Sequence, residues 1–307
     1  MRVVNAFAAL LLCAAAVADE RPNVIIMVAD DLGWADVGYH GGPIETPSLD
    51  RLAAEGARLN RFYTTPICSP TRAALMTGRD PMRLGVAYAT IMPWSNVGVH
   101  PDERFMPQAF ADAGYQTAMV GKWHLGHAQQ TYHPNARGFE HFYGHLHTEV
   151  GYYPPFASQG GKDLQRNGES IDADGYETYL MADEAVRWIE QRQADRPFFL
   201  YMPFLAPHTP LDAPQALVEK YAGLDDDTEK SRSRSDRTHL IANLTFQDTE
   251  PRITMSRWPP VASNTSLRLL SISSSGTIPA LASNGRHSFM MRPRLSAIVR
   301  PMDGSSW

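Results

Sequence analysis

Cys68 is the residue in this chain whose type and setting most strongly imply chemistry. It stands in Cys68-Ser69-Pro70-Thr71-Arg72, followed by Ala73-Ala74-Leu75-Met76-Thr77-Gly78-Arg79. The sequence has two cysteines, and the other, Cys13, falls in an expected leader. Cys68 is then the single thiol of the mature chain and has no internal partner for a disulfide, so it is either a plain packed thiol or a reactive group. Pro70 and the good helix formers behind it place a helix start at about Cys68. Backbone N–H groups there would face an anion, and Arg72 would add a fixed planar charge. Asp30-Asp31 supplies hard oxygen ligands of the kind that hold Ca²⁺ or Mg²⁺. Lys122 with His124, and His208, complete the set of polar clusters. A nucleophile at a helix N-terminus beside an arginine and a dication suits phosphate or sulfate esters. Each cluster alone has a plainer reading: a turn or cap for the aspartates, a satisfied polar residue for each histidine.

These clusters follow segments that read as strands. Asn23 to Ala29 is a continuous apolar, β-branched run, the pattern of a strand buried on both faces of a parallel sheet, and it ends in Asp30-Asp31. Tyr115 to Val120 ends in Gly121-Lys122-Trp123-His124, and Pro197 to Phe204 ends in Ala206-Pro207-His208. Ligands of open α/β sheets bind beyond the carboxyl ends of the strands. Between them, Thr46-Pro47 opens a helix that Gly56 stops, 107–113 is helical, and 179–193 is an amphipathic helix. Arg58 to Tyr63 reads as a short strand, and 126–175, rich in Gly, Tyr and His, as long loops. Alternating strands and helices argue for an α/β domain with a largely parallel sheet.

The 307 residues carry a formal charge of −5, which gives no general pull toward nucleic acid or membrane. Residues 1–18 read as a signal peptide: Arg2, an apolar run to Ala16, then Ala16-Val17-Ala18 as the cleavage site. The run is shorter than the ~20 residues that span a bilayer, so no stable membrane anchor is expected. Export to a secreted or periplasmic compartment follows (lysosomal or extracellular in a eukaryote). Residues 19–227 read as the N-terminal part of a catalytic domain. From 228 to 307 the composition changes: 15 serines against 5 in all that precedes, and 11 Lys+Arg against 5 Asp+Glu. With Trp258-Pro259-Pro260 and Ser273-Ser274-Ser275-Gly276 interrupting it, this Ser/Arg-rich tail reads as free of regular elements. It is either a disordered basic segment or one outside the natural reading frame.

Cys68-Ser69-Pro70-Thr71-Arg72 with Leu75-Met76-Thr77-Gly78-Arg79 closely resembles the sulfatase signature. Pro22 to Gly33, Gly121-Lys122-Trp123-His124-Leu125-Gly126 and Ala206-Pro207-His208-Thr209-Pro210 resemble three further sulfatase blocks, in the family's order. The resemblance covers about 22–227 and is nearest to the arylsulfatase B-like branch. It implies an alkaline-phosphatase-like α/β three-layer sandwich with a smaller C-terminal subdomain. It also implies that a formylglycine-generating enzyme oxidises Cys68 to Cα-formylglycine, whose hydrated aldehyde is the nucleophile. Asp30 and Asp31 would be ligands of Ca²⁺ or Mg²⁺, with the modified Cys68 beside the ion. Arg72 would stabilise the hydrated aldehyde, Lys122 and His124 would hold it, and His124 would help expel sulfate. His208 would bind the sulfate and protonate the leaving alcohol. The implied reaction is hydrolysis of a sulfated small molecule or sulfated glycan.

The sequence departs from the family after residue 210. The later Asp-Asn-Gly strand end, which supplies two more metal ligands, is not found. Nor is the second active-site lysine in a Gly-rich segment; Lys220 and Lys230 stand in other contexts. The small C-terminal subdomain is expected to be missing, by truncation or frameshift. Two other functions stay open beside the sulfatase: an inactive sulfatase fragment, and a phosphomonoester or phosphonate hydrolase of the same superfold. The stretch Gly144 to Phe156, with His145, His147, Tyr152, Tyr153 and Phe156, reads either as a surface that stacks on sugar or aryl rings or as an ordinary aromatic loop.

Overall fold

The computed structural model describes residues 21–221, apart from 89, 149, 160 and 211, together with the backbone of 267–274 and 297–299. The leader expected at 1–18 and most of the 228–307 tail lie outside the described residues. In chain order the longer elements are β1 (Asn23–Asp30), α1 (Pro47–Glu55), β2 (Ala57–Arg58), α2 (Cys68–Thr77), α3 (Met106–Asp112), β3 (Gln116–Lys122) and β4 (His141–His145). Four two-residue strands follow: β5 (Ala157–Ser158), β6 (Gly161–Lys162), β7 (Gln165–Arg166) and β8 (Glu169–Ser170). Then come α4 (Glu177–Gln191), β9 (Phe198–Pro203), α5 (Gln215–Lys220), β10 (Leu267–Ser274) and β11 (Ala297–Val299).

One nine-stranded sheet runs in the order β2-β11-β10-β1-β9-β3-β4-β7-β8. Its five central strands, β10 to β4, are parallel, and short antiparallel strands flank them at both edges. This is the mixed, largely parallel sheet expected from the sequence. The two-residue period of a strand explains why the central runs are apolar throughout. Ile25, Met27 and Ala29 of β1 and Phe198, Leu200 and Met202 of β9 face one core, shared with Leu49 and Leu52 of α1 and Met181, Ala185 and Ile189 of α4. Ile26, Val28, Phe199 and Tyr201 face a second core with Ala73 and Met76 of α2, Phe105, Trp123 and Phe139. Each fully buried side chain of this size contributes about 1.5–3 kcal/mol. The result is a helix–sheet–helix sandwich of three layers.

Four local expectations differ from the structure. Thr46 does occupy the cap position of α1, but its hydroxyl accepts from Gly38 N at 2.7 Å and donates to Asp50 Oδ1 at 2.6 Å instead of capping the helix. The strand expected over Arg58 to Tyr63 is confined to Ala57–Arg58. The stretch read as loops contains β4, which pairs with β3 from Ala118↔His141 to Lys122↔His145. Its His and Gly residues hid a strand that is buried because β3 and β7 flank it. The tail stretch 267–274, read as lacking elements, pairs in parallel along the whole of β1, from Asn23↔Leu267 to Asp30↔Ser274. Its serines interrupt the apolar pattern but do not prevent an extended backbone.

One glycine is indispensable to the strand ends. Gly121 has φ +129°, and a Cβ there would lie 2.1 Å from the Pro203 carbonyl oxygen. Only glycine lets β3 and β9 approach this closely just before Lys122.

Candidate active site

All of the sequence-predicted polar clusters meet at the carboxyl ends of β1, β3 and β9. Asp30 is the last residue of β1, and its N–H donates to the Ala206 carbonyl at 3.0 Å. That bond ties β1 to the loop carrying His208. Lys122 ends β3, with His124 two residues on. Cys68 is the first residue of the ten-residue helix α2, and Arg72 lies one turn further in, so both point toward the strand ends.

The floor of the site is a sealed ionic cluster. Asp30, Arg72, Lys122 and His124 are all buried. Lys122 Nζ donates to Asp30 Oδ2 at 2.5 Å and to Thr148 Oγ1 at 3.0 Å. Arg72 Nη2 lies 3.3 Å from the same Asp30 oxygen, and Arg72 Nη1 donates to the Lys122 carbonyl at 2.5 Å. Burial alone would push the Asp30 carboxyl up, but Lys122 and Arg72 overcome it and hold the group well below the ordinary carboxylate range. Asp30 Oδ1 has no hydrogen-bond partner.

The mouth of the site is more open. The Asp31 side chain is 42 % exposed, Cys68 is half-buried, and His208 Nε2 lies 3.7 Å from Asp31 Oδ2. Burial and then the neighbouring Asp30 charge raise Asp31 to about 6. Burial, followed by Lys122, lowers His208 to about 4. His208 Nδ1 lies 2.6 Å from the Thr209 carbonyl. A carbonyl only accepts, so Nδ1 carries the proton and Nε2 faces Asp31 as a lone pair. Asp31 and His124 both hold positive φ, +67° and +63°, a strained conformation of the kind that collects at functional sites.

His124 is fixed by the same logic. Its Nε2 donates to the Ile91 carbonyl at 3.2 Å, leaving Nδ1 unprotonated and without a partner. Burial, then Lys122 and Arg72, push its proton affinity far down, so the ring is neutral. Ser69 locks this wall: its hydroxyl donates to the His124 carbonyl at 2.9 Å and accepts from Ile91 N at 3.2 Å.

Burial raises the Cys68 thiol despite the nearby Lys122 and Arg72 charges. Its Sγ lies 3.9 Å from Thr90 Oγ1. A thiol kept protonated at neutral pH is a weak nucleophile. The unmodified sulfur is therefore poorly suited to direct attack.

The acidic donors fit a hard divalent cation. Two adjacent carboxylates, one with an orphaned buried oxygen and the other with a raised proton affinity, are repelled groups that a cation would relieve. Among the described residues no group of three or more His, Cys, Asp or Glu side chains forms a complete cage.

Sequence reasoning did not find Thr148, Thr90 or the anchor of His208. Tyr152 donates to the His208 carbonyl at 2.8 Å and stacks on Tyr176, whose hydroxyl donates to the Asp212 carbonyl at 3.2 Å. Two tyrosines thus hold both ends of the 208–212 loop. Of the two readings of Gly144 to Phe156, burial favours the ordinary aromatic loop for His145, Tyr152 and Phe156, while His147 is half-buried and Tyr153 exposed.

The Sulfatase family model matches residues 22–257, past the composition break at 228. The chain belongs to the sulfatase family. It is 36 % identical over 211 residues to arylsulfatase J of Mus musculus, covering 66 % of this chain and 35 % of that protein. To N-acetylgalactosamine-6-sulfatase of Canis lupus familiaris it is 39 % identical over 222 residues, covering 65 % and 42 %. To an arylsulfatase of Klebsiella aerogenes it is 33 % identical over 217 residues, covering 66 % and 47 %. The chain thus spans less than half the length of these relatives. Among solved structures, Ps i-CgsB in complex with k-i-k-neocarrahexaose aligns at TM-score 0.75 and 28 % identity, over 91 % of this chain and 66 % of that one. The phosphonate monoester hydrolase of Agrobacterium radiobacter aligns at TM-score 0.63 and 17 % identity, over 91 % and 68 %, which is a likeness of fold. The alkaline-phosphatase-like α/β assignment holds.

Proposed function

We propose that this protein hydrolyses sulfate esters to an alcohol and sulfate, in an exported compartment, on a sulfated glycan or sulfated small molecule. The observation that carries this reading is Cys68 in the first turn of α2, near enough to feel the charges of Lys122, Asp30 and Arg72, which are themselves joined in one buried cluster. The Cys68-Ser69-Pro70-Thr71-Arg72 motif supports conversion of Cys68 to formylglycine by a separate generating enzyme, which would supply a hydrated aldehyde oxygen as nucleophile. Asp30 and Asp31 would hold Ca²⁺ or Mg²⁺, which supplies positive charge beside the transferring group.

The chain's own residues divide the remaining work. Arg72 and Lys122 are fixed, desolvated cations that offset negative charge as the ester oxygen leaves. His208 faces the mouth and is neutral until an anionic ester arrives. The added negative charge raises its proton affinity, so Nε2 can take up a proton and pass it to the leaving alcohol. His124 presents a neutral ring with an unpartnered Nδ1 in a dry wall and would help expel sulfate.

The likeness to N-acetylgalactosamine-6-sulfatase and to the neocarrahexaose complex of Ps i-CgsB supports a sulfated sugar as substrate. The composition of residues 1–18 supports a cleaved signal peptide. Rates on an aryl sulfate and the matching aryl phosphate test the proposal. Turnover of the sulfate well above the phosphate is expected; the reverse preference overturns it in favour of a phosphoester or phosphonate hydrolase.

A further inference from the structure

Four aromatic side chains stand exposed on the described surface: Tyr63, Tyr88, Trp94 and Tyr153. Two of them belong to one segment that is clamped to the active site. Thr90 Oγ1 faces Cys68 Sγ, while Ile91 bonds Ser69 Oγ through its N–H and His124 Nε2 through its carbonyl. Tyr88 is two residues before Thr90, and Trp94 is three residues after Ile91. Chain geometry therefore holds the Tyr88 Cα within about 7 Å of Thr90 and the Trp94 Cα within about 11 Å of Ile91. Yet Tyr88 is 78 % and Trp94 64 % exposed. Tyr153, also exposed, follows the Tyr152 that bonds the His208 carbonyl.

We infer that Tyr88 and Trp94 form a stacking platform at the mouth of the site for the pyranose ring of a sulfated sugar. This rests on the sulfate-ester reading and extends it to the alcohol half of the substrate. The buried floor supplies charge for an anion but no surface for a ring. The exposed apolar side chains nearest in the chain to the Thr90–Ile91 clamp are in this segment; the Tyr88 hydroxyl lies 3.5 Å from Met82 Sδ, and Met82 and Val97 are exposed as well. Contiguous exposed apolar surface rimmed by polar groups marks a ligand-binding groove. Flat rings with a polar tip match a pyranose, which has an apolar C–H face and a hydroxyl edge.

The test measures binding to the full chain in Ca²⁺ buffer by calorimetry and tryptophan fluorescence. Probes are inorganic sulfate, N-acetylgalactosamine 6-sulfate and a neocarrahexaose. Expected is at least one sulfated sugar bound more tightly than sulfate. Trp94→Ala and Tyr88→Ala should each weaken that sugar about tenfold and leave sulfate binding and the unfolding midpoint unchanged. Equal sugar binding by wild type and both variants overturns the platform, as does a wild type that binds sulfate but neither sugar more tightly; both outcomes leave the sulfate site standing. A wild type that binds neither sulfate nor sugar overturns the platform together with the reading of the site.

Discussion

Lys122 Nζ lies 2.5 Å from Asp30 Oδ2, and both side chains are fully sealed from water. The pair is the hinge between structure and chemistry in this molecule. It joins the ends of β1 and β3, keeps Asp30 ionised, and places a dry positive charge under Cys68.

Replacing Lys122 by Met should be severe, because Asp30 would keep only Arg72 as a counter-charge. Removing one partner of a buried pair costs about 3–5 kcal/mol. Chemical denaturation checks this. The Asp30 carboxyl is held below its ordinary 3.8, so its contribution is present above about pH 4 and is lost as the pH falls below it. The wild type should lose stability on that acid limb, and Lys122→Met should show a shallower one.

Asp31 predicts the pH dependence of cation binding. Its carboxyl is raised to about 6, and a cation must displace that proton. Calcium affinity should level off above about pH 6 and fall toward tenfold per pH unit below it. Calorimetry across pH 5 to 8, in buffers of different ionisation enthalpy, measures both the affinity and the proton released. A flat affinity across this range would contradict the assignment of Asp31 as a ligand.

Tyr152→Phe removes the hydroxyl that holds the His208 carbonyl. The loss of this hydrogen bond should cost about 1 kcal/mol, concentrated in one loop. Hydrogen exchange read by mass spectrometry should show faster exchange in 205–213 and no change in β3. Turnover should fall with it, because His208 would spend less time at the mouth.

Gly121→Ala combines a φ of +129° with a Cβ placed 2.1 Å from the Pro203 carbonyl oxygen. The strands must separate to admit it. A loss of several kcal/mol, seen as low soluble yield and a much lower Tm, is expected.

The central sheet and the site were legible in the sequence for one shared reason. β1 and β3 are apolar runs that end at Asp30 and Lys122, β9 is an apolar run followed five residues on by His208, and the end of a parallel strand is where a site forms. The linear pattern therefore named Asp30, Asp31, Lys122, His124 and His208. What it concealed depends on contacts far along the chain. β4 looks like a loop because His141, Gly144 and His145 interrupt its apolar pattern. Thr148 is polar and unremarkable until the Lys122 ammonium reaches it across 26 residues. Tyr152 reads as a surface aromatic until its hydroxyl is found on His208, 56 residues away. Ser271, Ser273 and Ser274 obscured β10, whose extended backbone is set by pairing with β1.

Sulfate-ester hydrolysis that depends on a modified Cys68 is the central claim, and one rate decides it. The full chain, produced together with a formylglycine-generating enzyme and assayed with Ca²⁺ on an aryl sulfate, should turn over substrate. Cys68→Ala, equally folded by its unfolding midpoint, should lose that activity by several orders of magnitude. Equal rates for the two proteins, or no turnover by a wild type whose Cys68 peptide shows the aldehyde mass, would contradict it.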